Sequence, residues 1–308
     1  MTTPRVAVLP RTKDVFTRAI EDGGGRVVGL DGTPDALLWL SYGRVDELED
    51  VLEQHPSIRW VQLPWAGVDA FASTLRSATR PGLTWTSAKG AYSEPVAEHA
   101  LALTLALLRS LPERARATSW GAKHAATLHR ARVVVVGAGG IAQELLRLLS
   151  VFDAHVTVVR RRADPVPGAE RTVTGDGLAE VVADADVLIL AAAATGGTRH
   201  LVDAELLSRL APHAVLVNIA RGTLVDTDAL VAALAEGRLA GAALDVTDPE
   251  PLPDGHPLWS EPRCLITPHS ADTPEMTAPL LAERVRMNTA AFAAGEDLVG
   301  VVDPDAGY

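Results

Sequence analysis

Arg132-Val-Val-Val-Val136-Gly137-Ala138-Gly139-Gly140-Ile141-Ala142 is the stretch that decides the fold. Four successive valines favour an extended strand, where β-branched side chains pack well on a pleated surface. Residues 141–149 then repeat their apolar positions at helical spacing. Between strand and helix the glycines follow the GxGxxG pattern, with Ala142 in the third place. Gly137 permits a tight turn, and Gly139 lets the backbone approach a pyrophosphate. The helix start, from Gly140 and Ile141, offers unpaired N–H groups and a partial positive charge to that anion. Glycine spacing alone is a weak signal, equally met by a flexible turn that binds nothing. Its position between a strand and a helix gives it weight.

Outward from this turn the second half alternates β-rich and helical runs. Strands are expected at 132–136, 155–159, 187–191, 215–219, 241–245 and 264–267, and helices at 141–149, 204–210 and 227–236. Several strands are apolar on both faces, as a parallel sheet covered by helices requires. The alternation predicts a doubly wound sheet. A separate α/β series occupies the first hundred residues, with strands at 5–9, 27–30, 36–40, 59–63 and 83–87 and helices at 13–20 and 45–52. A long amphipathic helix is expected over 276–294.

The second strand after the glycine turn ends in Val158-Val-Arg160-Arg161-Arg162, and Arg160 stands twenty-three positions after Gly137. A carboxylate there would bind the adenosine ribose hydroxyls and favour NAD, whereas arginine can pair with a 2′-phosphate. One charge-assisted hydrogen bond is worth about 1.5–3 kcal/mol, roughly 10- to 150-fold in affinity. That magnitude is enough to set cofactor choice. Elsewhere in the chain three arginines would read as a solvated charge run; here Arg160 favours NADP(H), with NAD(H) still possible. Arg161 and Arg162 are interchangeable as the second contact.

Bulk properties narrow the remaining classes. A chain of 308 residues suits two domains. A formal charge of -11 disfavours nucleic acid or an anionic membrane as the main partner, but not a small anion gripped by local arginines. The lone Cys264 permits no intrachain disulfide, so a reducing compartment fits. No basic segment followed by an apolar stretch opens the sequence, and the apolar run 99–108 is too short to span a bilayer. A cytoplasmic protein is expected. No metal site is expected, because the nine histidines show no HExxH spacing and CxxC is missing.

Three segments complete a candidate site. Asn218-Ile-Ala-Arg221-Gly222, Leu244-Asp245-Val-Thr-Asp-Pro-Glu250 and Ile266-Thr-Pro-His269 each follow an expected strand. Ligands of open α/β sheets bind beyond the carboxyl ends of strands. Arg can grip a carboxylate with two parallel bonds. His exchanges a proton near neutral pH, and Glu can orient it. Singly, each has a plain structural explanation; their joint placement at strand ends is harder to explain that way.

With these motifs in order, the chain resembles the D-isomer-specific 2-hydroxyacid dehydrogenase family, nearly end to end. Arg59-Trp-Val-Gln-Leu-Pro-Trp-Ala-Gly-Val-Asp69 is similar to its substrate loop. Val96-Ala-Glu-His-Ala-Leu-Ala102 resembles the helix that crosses between its domains, and the three strand-end segments resemble its catalytic blocks. The resemblance implies a Rossmann-type doubly wound domain over 99–275. It also implies a smaller flavodoxin-like α/β substrate domain over 1–98, completed by 276–308. It implies that Arg221 binds the substrate carboxylate and 2-oxo oxygen, and that His269 is the acid in reduction and the base in oxidation. Glu250 would hold the His269 ring and favour its protonated form. Backbone N–H groups of Ala66 and Gly67 would share the carboxylate. Asp245 would contact the nicotinamide carboxamide and Thr198 the cofactor's phosphate or ribose. Ile219, Ala220, His269 and Ala271 complete the implied cofactor contacts, beside Gly137, Gly139, Gly140, Ile141, Arg160 and Arg161. A homodimer is implied.

Three departures bear on this. Arg160 stands where NAD-preferring members carry Asp, Ala142 replaces the third glycine, a mild change, and 191–198 lacks a proline often found there, which leaves contacts from Ala193 and Ala194 in doubt. Small 2-oxo acids such as glyoxylate and hydroxypyruvate are the implied substrates. Trp65, Tyr92 and Trp259 either line the pocket or serve the core. Formate dehydrogenases carry Gln where Glu250 stands. A different class, the cofactor-sensing binding proteins of this fold such as transcriptional corepressors, is the alternative; it calls for a peptide groove or a long disordered tail.

Overall fold

Val133 to Val136 are all buried, as a central strand covered on both faces demands. The computed structural model describes residues 3–41 and 44–304. Its strands are β1 Arg5–Leu9, β2 Arg26–Val27, β3 Ala36–Trp39, β4 Trp60–Gln62, β5 Thr84–Thr86, β6 Arg132–Val136, β7 His155–Val159, β8 Arg171–Val173, β9 Val187–Leu190, β10 Val215–Asn218, β11 Gly241–Leu244 and β12 Cys264–Ile266. They form a five-stranded sheet, ordered β2-β1-β3-β4-β5, and a seven-stranded sheet, ordered β12-β11-β10-β9-β6-β7-β8. All named pairings are parallel. The first order is flavodoxin-like; the second is the doubly wound Rossmann order with a seventh strand at one edge. The sequence expectation of two such α/β folds is met.

The chain divides into two compact units, Met1–Tyr92 with Thr273–Tyr308, and Ser93–Asp272. In the first, buried Trp39, Trp60, Trp85 and Phe71 fill the core. The C-terminal helix Pro274–Ala294 is tied to this sheet by buried Asn288, whose Nδ2 donates to Gln62 Oε1 (3.0 Å) and to Val299 O (2.9 Å). Arg284 adds bonds to Ser87 O and Lys89 O, both 3.0 Å. These polar links explain why residues nearly 200 positions apart, Ser87 and Arg284, share one unit.

In the second unit the helix Gly140–Leu149 leaves the glycine turn with Ala142, Leu145, Leu146 and Leu149 inward. The helix Ser93–Leu108 packs against it and against β10 and β11. Two details differ from the sequence reading. β2 stops at Val27 because Leu30–Gly32 turns into a 3-10 helix. The edge strand β8 was not foreseen: three residues opening on Arg171 carry too little apolar signal. Among the described residues no helix is long and apolar enough to cross a membrane.

Candidate active site

The glycine turn sits where a dinucleotide would need it. Gly137 has φ +119°, and a Cβ there would lie 2.4 Å from Ala191 O, so only glycine fits. Its N–H donates to Val159 O (2.8 Å), which brings the turn beside Arg160 at the end of β7. At Gly139 a Cβ would meet nothing within 4 Å. No side chain caps the Gly140–Leu149 helix and no acidic residue lies in its first turn. Open backbone before an uncapped helix start is the cradle that a pyrophosphate requires, so these residues fit a dinucleotide.

Beyond β7, Arg160 is half-buried and Arg161 exposed, while Arg162 Nε lies 3.1 Å from Asp164 Oδ2. Both partners of that ion pair are exposed, so it leaves Arg161 and Arg162 equivalent as the second contact beside Arg160. Past β9, the Thr198 hydroxyl closes its own turn: it accepts from Thr195 N–H (2.7 Å) and donates to Ala193 O (2.9 Å).

Three strand ends supply the reactive groups. Arg221 follows β10; Asn218 Nδ2 donates to its carbonyl (2.9 Å) and Asn218 Oδ1 accepts from Ala220 N–H (3.1 Å), so a buried amide shapes the turn. Ile219 and Ala220 are buried beside it. Glu250 follows β11, and its Oε1 lies 2.7 Å from Nδ1 of His269 beyond β12. Both side chains are over two-fifths exposed, at 46% and 42%. Nδ1 is thereby committed to Glu250, and Nε2 faces the other way. His269 adopts φ +50°, a left-handed conformation held by its N–H donating to Asp245 O (2.8 Å).

Asp245 is 2% exposed. Its Oδ1 accepts from Thr267 Oγ1 (2.5 Å) and Ser270 N–H (2.9 Å), and its Oδ2 from Ala271 N–H (3.2 Å). Burial pushes its carboxyl up, but donors from His99, Thr267 and Ser270 more than reverse this, so it lies below the usual carboxylate range. Asp272, half-buried, feels the charges of His269, Asp245 and Arg221, which brings all four into one electrostatic neighbourhood.

Comparison with known proteins accords with this geometry. The family model described as D-isomer specific 2-hydroxyacid dehydrogenase, NAD binding domain, matches residues 101–271. The chain belongs to the D-isomer specific 2-hydroxyacid dehydrogenase family. It is an oxidoreductase that moves a hydride between a nicotinamide cofactor and a 2-oxo/2-hydroxy acid pair. An uncharacterized protein in the proB 3′ region of Corynebacterium melassecola is 39% identical, over 95% of this chain and 96% of its own. A glyoxylate reductase of Pyrococcus furiosus is 32% identical over 85% and 80%. The crystal structure of a D-isomer specific 2-hydroxyacid dehydrogenase from Xanthobacter autotrophicus Py2, in complex with NADPH and MES, superposes with a TM-score of 0.85 at 26% identity, covering all of both chains.

Other residues of this dehydrogenase play parts that sequence reasoning had left open or missed. Ala66 and Gly67 lie in the loop after β4, in the unit containing the five-stranded sheet; there Ala88 N–H donates to Trp65 O (2.9 Å) and Tyr92 OH to Pro64 O (2.6 Å). Tyr92 is thus a buried brace of that loop. Trp259 is 46% exposed, its Nε1 donating to Pro253 O (3.0 Å). Gly222 was overlooked: a Cβ there would lie 1.9 Å from Thr247 O, so the Arg221 turn rests directly on the segment leading to Glu250. His99 was overlooked too, since one histidine in an apolar helix reads as core. Among the described residues no group of three or more His, Cys, Asp or Glu is placed to hold a metal ion.

Proposed function

We propose that this dehydrogenase reduces a small 2-oxo acid of the glyoxylate or hydroxypyruvate class to its D-2-hydroxy acid, preferring NADPH, with His269 as proton donor. The observation that carries the reading is the 2.7 Å contact between His269 Nδ1 and Glu250 Oε1 on a half-exposed pair. When bound, the nicotinamide supplies the hydride. Glu250 fixes the ring through Nδ1, so that Nε2 is turned to give its proton to the oxygen formed at the 2-carbon. Arg221 grips the substrate carboxylate and faces the charge developing on that oxygen. Gly137, Gly139, Gly140 and Ile141 would cradle the pyrophosphate, and Arg160 with Arg161 or Arg162 the adenosine 2′-phosphate. Ile219, Ala220 and Ala271 would lie along the nicotinamide half. Asp245 would reach the carboxamide through Oδ2, the oxygen that accepts from Ala271 N–H. A homodimer in the cytoplasm belongs to the same proposal.

The NADP(H) preference rests on Arg160 beside the glycine turn and is matched by the NADPH held in the Xanthobacter relative. The test is oxidation of NADPH and NADH with a panel of 2-oxo acids. His269→Ala should lower kcat by about 10²- to 10⁴-fold. Arg160→Asp should shift the NADPH-to-NADH ratio of kcat/KM by roughly 10- to 150-fold toward NADH. Unchanged turnover in the first variant would remove His269 from its role. An unchanged ratio in the second would remove Arg160.

A further inference from the structure

The geometry points to His99, on a helix remote in sequence from the three strand-end loops, as a positioning residue that acts through Asp245 and Thr267 to hold the loop of His269. The inference rests on the reading of His269 as the proton-transfer residue.

A Cβ at Gly241, the first residue of β11, would be 3.2 Å from Leu107 Cδ2 near the end of the helix Ser93–Leu108. At the other end of β11, His99 Nε2 is 3.3 Å from Asp245 Oδ1. Eight helical residues rise ~12 Å and four strand residues ~13 Å, so the helix runs antiparallel to β11 in step with it. That alignment delivers His99 to the carboxyl end of the strand, where the site is.

His99 Nε2 also lies 3.0 Å from Thr267 Oγ1, whose hydroxyl donates to Asp245 Oδ1 at 2.5 Å. A carboxylate only accepts, and the threonine proton is already given to it, so the Nε2 hydrogen belongs to His99. The imidazole therefore donates into a closed triangle of three side chains. The product of that triangle is a buried, ionised Asp245 whose oxygens face the backbone of the next loop. Ser270 N–H (2.9 Å) and Ala271 N–H (3.2 Å) donate to it. The Asp245 carbonyl takes the His269 N–H at 2.8 Å. Three successive amides of the loop thus hang on one residue, while His269 itself is held in a left-handed conformation unusual for a non-glycine residue. Without the His99 donor, a buried carboxylate with fewer partners would tend toward its neutral form and give up part of this grip. The groups facing Asp245 from neighbouring elements are His99, Thr267 and the Ser270 and Ala271 amides, with Asp272 in electrostatic reach.

The experiment compares wild type, His99→Leu and His99→Gln in two readouts. One is kcat and KM for NADPH-dependent reduction of glyoxylate; the other is hydrogen exchange of the 269–271 amides in the cofactor-free protein. His99→Leu should lower kcat about tenfold with KM changed less than about twofold, and should speed exchange at 269–271 about tenfold with the rest of its unit unaltered. His99→Gln restores an N–H donor and should recover most of both. Values within about twofold of wild type in His99→Leu, or a Gln variant as impaired as Leu, would overturn the role. If His99→Leu loses protection throughout its unit, Thr267→Val decides: the same local losses support the triangle, and unchanged values overturn it. Full turnover in His269→Gln would instead overturn the proton-transfer reading on which the proposal rests, while exchange at 269–271 would still report whether His99 holds the loop.

Discussion

Burial pushes the Asp272 carboxyl up, and the charges of His269 and Arg221 only partly counter it, with Asp245 adding to the rise. A carboxyl raised above its unfolded value, near 3.9, favours the fold below that value and loses this contribution as pH climbs through the folded pKa. Asp272→Asn removes the ionisation, so it should raise the unfolding midpoint by about 2 °C at pH 7.5. The gain should shrink as pH falls toward the unfolded value near 3.9 and vanish only below it, where both states of wild type are protonated. Asp245 has the opposite sign. Burial raises its pKa, but His99, Thr267 and Ser270 bring it below the usual range. Its contribution is present above the unfolded pKa and lost as pH falls through the folded one. Asp245→Asn should therefore destabilise the protein at pH 7.5, by less as the pH drops. Calorimetry of both variants across pH 4–8 tests the pair; equal signs for the two at pH 7.5 would contradict the electrostatic account.

At the scale of elements, the strand-end loops lean on one another, and Gly222 is where they touch. Its missing side chain lets the 3-10 turn Gly222–Leu224 lie against the Thr247 carbonyl, 1.9 Å from where a Cβ would stand. Backbone cannot rotate aside as a side chain can, so Gly222→Ala must displace either the Arg221 turn or the segment carrying Glu250. A stability loss of about 1–3 kcal/mol and a fall in kcat of at least about tenfold are expected, measured by urea unfolding and steady-state kinetics. A fully active, equally stable variant would show that the two loops move independently. This contact also marks what the sequence could and could not convey. Strand β6 was legible because four valines precede a glycine turn, and β7 because three of its five residues are valines. Arg221, Glu250 and His269 were legible as residues just past such strands. Edge strand β8 was not, having three residues and a charged start. Gly222 was not, because its need for a bare Cα comes from a segment twenty-five positions away. His99 was not, because its partner Asp245 lies 146 positions later. Local pattern announces an element; close approach between elements does not.

On the scale of the whole chain, each unit has a core of its own. Trp39, Val61, Phe71 and Trp85 belong to one cluster, and Val134, Leu188, Leu216 and Leu244 to another. Separate cores make separate unfolding steps the physical expectation, so a single midpoint is poorly defined for this protein. The tryptophans allow the steps to be told apart. Trp39, Trp60 and Trp85 are each 1% exposed in the unit containing Met1–Tyr92, whereas Trp120 and Trp259 of the Ser93–Asp272 unit are 89% and 46% exposed. Fluorescence therefore reports chiefly the first unit, and far-UV circular dichroism reports both. The proposed cofactor contacts all lie in Ser93–Asp272. A ligand at a hundred times its Kd stabilises the unit that binds it by about 2.7 kcal/mol, which corresponds to a rise of about 5–10 °C. Saturating NADPH should accordingly raise part of the dichroism curve by that amount and leave the fluorescence midpoint nearly unmoved. NADH at equal concentration should raise the dichroism curve less, and Arg160→Asp should reverse the order of the two cofactors. If fluorescence and dichroism rise together by the same amount, the two cores unfold as one cooperative block, and binding in Ser93–Asp272 stabilises the entire chain.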